Sequence, residues 1–149
     1  MRGMSILRKN IPKIFLDTNV AYDLVSGRQP FYDEAKFIIP LARTDSVRLF
    51  VSSGTVVNLF YLAYEKDKLR DATQHLLDML ESCDIAQTTR AIVIEALGSR
   101  FKDKEDAYQY LTAVEMSADY FLTRDLKDYK SASSILPVLS PLQFNHILS

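Results

Sequence analysis

The sequence predicts an α/β fold, a mostly parallel central sheet with helices on both faces, and three observations carry that expectation. Short runs of β-type residues alternate with longer stretches of helical periodicity, the pattern of strands joined by crossover helices. The runs Ile14–Leu16, Arg48–Ser52 and Tyr120–Thr123 are almost continuously apolar, as strands covered on both faces should be. Apolar residues make up 48% of the 149, enough for one well-filled core.

The elements follow in chain order. Ile14–Leu16 is the first strand, and the helical stretch Val20–Val25 after it stops at Gly27, where a left-handed residue is wanted. A helix over Tyr32–Arg43 leads to the second strand, Arg48–Ser52. Ser53 is placed to cap a helix over Gly54–Glu65, and Leu69–Glu81 leads to a strand at Asp84–Gln87. Thr88 or Thr89 caps Arg90–Leu97, and Gly98 marks its end. Asp103 caps Glu105–Ser117, which feeds the strand Tyr120–Thr123. A last strand, Leu136–Leu139, precedes a short helix, Leu142–Ile147, and Pro141 suits its first turn. With no internal repeat, low-complexity tract or boundary in view, residues 1–149 are expected to form one domain, with residues 1–12 as a short N-terminal extension.

Composition excludes several classes. Four glycines and five prolines leave little material for long flexible linkers. The single cysteine, Cys83, rules out an internal disulfide framework, fits a reducing cytoplasm, and reads as a small buried apolar residue near a helix end. No apolar run reaches membrane-spanning length, and MRGMSILRKN has no apolar stretch of signal-peptide length behind it. A soluble cytoplasmic protein is expected. The net charge of −1 excludes a global basic footprint, so any nucleic-acid contact has to be local.

The acids supply the chemistry. Ligands of open α/β sheets sit outside the carboxyl ends of the strands. Asp17 ends the strand KIFLD, and Asp125 follows YFLTR. Asp106 lies in the first turn of the helix that enters YFLTR, so its end of that helix belongs at the same edge as the other two. Singly, each has a plainer reading: a first-turn acid favoured by the helix dipole for Asp106, a turn opener for Asp125, an N-cap for Asp17. Together on one edge they outweigh three separate accidents. Carboxylates so close repel one another, and a hard divalent cation, Mg²⁺ or Mn²⁺, removes the conflict by taking their oxygens as ligands. Such a site suits phosphodiester hydrolysis.

LDTNV after an apolar strand, SSGTVVNLFYL on a helix, KEDAYQYLTAVEMSADYFLTRD and the closing LSPLQF together resemble the PIN domain, from Ile14 to about Phe144. The similarity is greatest to small bacterial single-domain members related to VapC-type toxins. The resemblance implies an α/β/α sandwich and a metal-dependent endoribonuclease, commonly a homodimer, which a small antitoxin blocks in toxin–antitoxin pairs. It places the family acids on Asp17, Asp106 and Asp125, and Thr123 on the small hydroxyl of the T-x-D pattern, where it would position a water or phosphate.

One position departs. Many members carry glutamate where this chain has Asn58. Glu65 is no substitute, because it lies about 10.5 Å further along the helix axis at about 1.5 Å per residue. Asn58 either offers its amide to a metal or a neighbouring carboxylate, or ties its helix to Asp17; one less negative charge should weaken metal binding. Glu105 and Asp106 point roughly 100° apart, so only one is expected to be a direct ligand, and the motif selects Asp106. Asp128 belongs in a loop.

Positive charge near the acids includes Arg28, Lys102, Lys104, Arg124 and Lys127, candidate phosphate contacts or ordinary surface charge. Tyr108, Tyr110, Tyr120 and Phe121 are expected in the core, and Phe60, Tyr61 and Tyr64 in packing, with a dimer face as one setting. His75 and His146 have no partner at metal-ligand spacing. Beside the nuclease stand two other readings: a catalytically inactive PIN-like module that binds RNA or protein, kept open by Asn58, and a haloacid-dehalogenase-like phosphatase. The phosphatase wants a second acid where this chain has Asn19.

Overall fold

A computed structural model describes residues 10–130, 132 and 135–149 of the chain. Most of the expected N-terminal extension, residues 1–9, lies outside the described residues. The strands are β1 (Lys13–Leu16), β2 (Arg48–Ser52), β3 (Cys83–Ala86), β4 (Tyr120–Leu122) and β5 (Val138–Leu139). They form one sheet in the order β3-β2-β1-β4-β5, and every neighbouring pair is parallel. The chain thus starts at the centre, builds outward to β3, then returns to the other side of β1 for β4 and β5.

Side chains alternate across the sheet, as the pleat requires. Ile14, Leu16, Leu49, Val51 and Leu122 are buried on one face. That face is covered by α1 (Thr18–Ser26), α2 (Phe31–Ala35), α3 (Ile38–Arg43), α4 (Ser53–Phe60), α5 (Ala72–Ser82) and α8 (Pro141–Leu148). Phe15, Phe50 and Phe121 face the other way, under α6 (Arg90–Leu97) and α7 (Lys104–Glu115). The result is the three-layer α/β/α sandwich. Phe15 and Phe121 stack with ring centroids 5.5 Å apart, and burial of each such ring stabilises the fold by about 1.5–3 kcal/mol. Phe144 of α8 packs on Tyr120 at 5.1 Å, which fixes the closing LSPLQF segment to the first face. Ser140 and Gln143 form a reciprocal capping box there, with Pro141 in the first turn.

Several expected boundaries shift for identifiable reasons. The helix expected over Tyr32–Arg43 is two short helices, because Pro40 has no N–H to give the Lys36 carbonyl. The Ile39 N–H takes that carbonyl instead, at 3.1 Å. The helix expected from Leu69 starts at Ala72, since Asp71 is left-handed with φ 56°. Gly27 is left-handed as expected, φ 72°, but Gly98 has φ −88° and closes α6 without a left-handed residue. Ser52, not Ser53, caps α4, its hydroxyl accepting the Thr55 N–H at 3.0 Å. Beyond Phe60 that helix widens into a π-helical turn, Tyr61–Lys66, where the Tyr22 hydroxyl lies 3.2 Å from the Leu62 carbonyl. Cys83 opens β3 directly after α5, and burial pushes its thiol up to about 12. Among the described residues no helix is long and apolar enough to cross a membrane.

Candidate active site

Strand order reverses between β1 and β4, and the crevice at their carboxyl ends is where an open α/β sheet receives ligands. Asp17 follows β1 into that crevice, its N–H held by the Leu122 carbonyl at 2.9 Å. It stands at the N-cap of α1, yet its side chain caps nothing. The Thr123 hydroxyl donates to Asp17 Oδ2 at 2.6 Å and accepts the Asp125 N–H at 3.1 Å. Asn19 completes the link, donating to Asp125 Oδ2 at 2.9 Å. The D-T-N and T-R-D segments are therefore one interlocked unit. Asn19 supports Asp125 in it and does not provide the second acid that a haloacid-dehalogenase-like phosphatase wants.

A second set of bonds holds α7 against this unit. Gln109, buried one turn after Asp106, accepts the Thr18 N–H at 3.0 Å, and the Thr18 and Thr55 hydroxyls lie 3.0 Å apart. Reading the sequence missed Gln109 and Thr55; the signal for Gln109 was a polar residue on the buried face of an otherwise apolar stripe. Gly54 lets α7 come this close, because a Cβ there would fall on the Tyr108 hydroxyl.

Asp17 and Asp106 border one pocket of about 310 Å³, with Asn19, Asn58 and Glu105 on its wall. Asp103 caps α7, accepting the N–H groups of Glu105 at 2.8 Å and Asp106 at 3.2 Å. Burial, then the charges of Asp17 and Asp103, push the Asp106 carboxyl up to about 7. Burial also raises the Asp17 carboxyl, with the Asp125 charge adding and the Thr123 hydrogen bond opposing. Asp125 is thus felt at Asp17, although it does not line the pocket. Among the described residues no three acidic, histidine or cysteine side chains are closed to metal-coordinating geometry.

Asn58 does not bond Asp17. Its amide donates to Glu105 Oε1 and draws that carboxylate to the pocket, so Glu105 and Asp106 both border it despite their angular separation on α7. Burial and the charges of Asp103 and Asp17 raise the Glu105 carboxyl as well. Among the described residues no cation forms an ion pair with Asp17, Asp103, Glu105, Asp106 or Asp125.

Tyr129 is the other residue that reading the sequence missed. It sits on a 3₁₀ turn, Leu126–Tyr129, and is buried at 4% exposure beside Asp17 and Asp106. Its hydroxyl has no hydrogen-bond partner among the described residues. The oxygen donors, and acids without an ion-pair partner among the described residues, are of the chemistry that a hard divalent cation takes.

The cations divide into two groups. Arg28 and Arg124 are both committed to the buried Asp23, at 2.9 and 2.7 Å, and Lys104 donates to the Ser99 and Phe101 carbonyls. Lys102 and Lys127 instead line a cleft of about 490 Å³ with Arg100 and Lys130, and Asp103 and Asp106 join this cleft to the acidic pocket. Asp128 lies in the 3₁₀ turn at the cleft's edge.

With this geometry in hand, similarity to known proteins is informative. A model of the PIN domain matches residues 13–127. The chain belongs to the PIN domain family. This PIN domain is 24% identical over 131 residues to Ribonuclease VapC1 of Aquifex aeolicus (strain VF5), covering 85% of this chain and 91% of that protein. Its fold is similar to that of a chain in the crystal structure of VapBC2 from Rickettsia felis bound to a DNA fragment from their promoter. The TM-score is 0.63 at 16% identity, covering 85% of this chain and 96% of that one. A toxin–antitoxin complex from Klebsiella pneumoniae gives the same TM-score, 0.63, at 23% identity, covering 86% and 97%. The two solved structures show the PIN-like sandwich in both.

Proposed function

We propose that this PIN domain is an Mg²⁺- or Mn²⁺-dependent endoribonuclease and the toxin of a toxin–antitoxin pair, acting in the cytoplasm. The observation that carries the reading is the pair of the buried Asp17 and the half-buried Asp106, which border one pocket with raised proton affinity and, among the described residues, form no ion pair. Similarity to a protein named Ribonuclease VapC1 supports RNA as the substrate.

Asp17, Asp106 and Asp125 would hold the ion. When bound, it supplies activation of water and stabilisation of charge developing on the phosphate oxygens. Thr123 fixes Asp17 and Asp125 relative to each other, and Asn58 keeps Glu105 at the pocket, so the acid absent at position 58 is offset by one from α7. Lys102 and Lys127, with Arg100 and Lys130, bind RNA phosphates in the adjoining cleft and so present the backbone to the acids.

Incubation with labelled RNA and Mn²⁺ tests the reading. The protein is expected to cleave and its Asp17→Asn variant not to; equal cleavage by both would trace the activity to a contaminant and end the proposal. Asn58 favours one alternative, a binding module without catalysis. Calorimetric titration that finds no Mn²⁺ binding at millimolar concentration selects that alternative.

Complexes named as VapBC2 and as a toxin–antitoxin pair among the similar folds support an antitoxin as partner. Phe60, Tyr61 and Tyr64, expected in packing with a dimer face as one setting, are 43–60% exposed along the helix beside the pocket and form with Val57 a ridge that an antitoxin segment would cover. Homodimerisation belongs to the same proposal, and light scattering of the protein alone tests it.

A further inference from the structure

We propose that Tyr129 is a positioning residue of the acidic site, whose hydroxyl orients the Asp17 and Asp106 carboxylates when a divalent ion occupies the pocket. The inference rests on the cation reading of that pocket and adds a member that neither motif contains.

The argument starts from packing. The Tyr129 ring lies 4.8 Å from Phe121, 5.8 Å edge-on to Phe101 and 6.2 Å from Tyr110, centroid to centroid. These neighbours fix the ring on one side of the sheet without any help from its hydroxyl. Phenylalanine would serve the same packing. The hydroxyl is nonetheless there, buried, and in hydrogen-bond geometry with no described group. A buried hydroxyl without a partner opposes folding, and native proteins rarely keep one without a use.

Its surroundings indicate the use. A tyrosine hydroxyl carries its proton at neutral pH and can donate it, and the charged groups beside this one are the Asp17 and Asp106 carboxylates. A protonated phenol beside two carboxylates is neither a base nor a strong metal ligand. It is a donor. The Tyr129 hydroxyl lies beside both carboxyls and is in hydrogen-bond geometry with neither. Asp17 Oδ2 accepts from Thr123, and a carboxylate has about four lone-pair sites, so acceptor capacity remains for an ion and a second donor. When two carboxylates turn toward one ion, their outward oxygens need a fixed donor. The Tyr129 hydroxyl is held by its ring at the place to supply it. Such outer contacts set the orientation of metal-binding carboxylates, and their loss typically weakens metal binding about 10–100-fold.

The test is Tyr129→Phe, which keeps the ring and removes the hydroxyl. Mn²⁺ affinity is measured by calorimetry for the natural protein, Tyr129→Phe and Asp17→Asn, and ion-free stability by urea unfolding. The expected result is Mn²⁺ binding weakened about tenfold or more in Tyr129→Phe, with ion-free stability unchanged or raised. The ultraviolet difference spectrum on Mn²⁺ addition should also lose its tyrosine component in that variant. Unchanged Mn²⁺ affinity in Tyr129→Phe, beside loss in Asp17→Asn, overturns the role of Tyr129 and leaves the cation site standing. A clear loss of ion-free stability marks Tyr129 as a structural hydrogen-bond donor and also overturns it. No Mn²⁺ binding by the natural protein removes the cation reading and this inference together.

Discussion

Asp17 and Asp23 lie on the same short stretch of chain and are both buried, at 3% and 0% exposure, yet they are handled in opposite ways. Asp23 is neutralised from within: Arg28 reaches it at 2.9 Å and Arg124 at 2.7 Å, and Arg124 lies over the Phe31 ring at 3.8 Å. Asp17 receives one hydroxyl, from Thr123, and its charged neighbours are acids. Burying a charge is costly unless it is paired, so a fold normally supplies the partner. This fold does so for Asp23. For Asp17 no such partner lies among the described residues, and the proposed cation would supply one. The difference separates a carboxylate that the fold pairs from one that, on the proposed function, a cation would pair.

The largest expected effect tests the paired member. Asp23→Asn strands two guanidinium groups and should lower stability by about 3 kcal/mol, read by urea unfolding. Asp17→Asn should do the reverse in the absence of ions. Its stability should be unchanged or higher by about 1 kcal/mol, because an uncompensated buried charge is removed. RNA cleavage by Asp17→Asn should fall about a hundredfold or more, equivalent to about 3 kcal/mol of lost transition-state stabilisation. If Asp17→Asn unfolds as readily as Asp23→Asn, the two aspartates are alike and the comparison breaks.

Sequence made one half of this contrast legible. The strand ending in Asp17, the helix start at Asp106 and the T-x-D at Asp125 follow from apolar runs and caps, because parallel strands joined by helices leave few choices of edge. The sheet, expected to be mostly parallel, is parallel at every pair. Asp23 was not legible, since its two arginines come from a loop after α1 and from the strand-end T-R-D, and nothing local pairs them. For the same reason Arg28 and Arg124 read as candidate phosphate contacts or ordinary surface charge, whereas both pair with Asp23. Gln109 and Tyr129 were missed because a buried polar atom in an apolar setting looks like packing until its neighbours in space are known. Helix geometry and the motif together select Asp106 over Glu105, and Asn58, from another helix, brings Glu105 to the pocket as well. Pro40 was visible throughout as a residue that cannot sit mid-helix, and the split between α2 and α3 follows from it.

The pH dependence sharpens the contrast further. Asp106 has a folded-state value of about 7 against about 3.9 when unfolded. Between those values the folded protein holds a proton that the unfolded chain has released. The contribution to stability is therefore full below about pH 4 and is lost as pH rises through about 7. Ion-free protein should accordingly be more stable at pH 5 than at pH 7.5, with Asp106→Asn flattening the slope. A divalent ion favours the charged carboxylates, so adding Mn²⁺ should also flatten it and should bind more tightly at the higher pH. A slope unaffected by both Mn²⁺ and Asp106→Asn would assign the titration elsewhere.

The smallest expected effect concerns the cations that Asp23 leaves over. Lys102 and Lys127 line the cleft beside Asp106 and, among the described residues, neither forms an ion pair. If RNA phosphates occupy that cleft, each lysine removed takes away one displaced counterion. For a single strand the slope of log affinity against log salt should then fall by about 0.7 per lysine. Lys102→Ala and Lys127→Ala, measured with the non-cleaving Asp17→Asn protein, should each show that decrement, and their combination about twice it. Arg28→Ala should leave the slope unchanged while lowering stability, because its charge is already spent on Asp23. The two kinds of cation are then told apart by two different measurements, salt dependence for one and urea unfolding for the other. An arginine that changed the slope, or lysines that did not, would mean that RNA approaches the acids from the α1 side and not along the cleft.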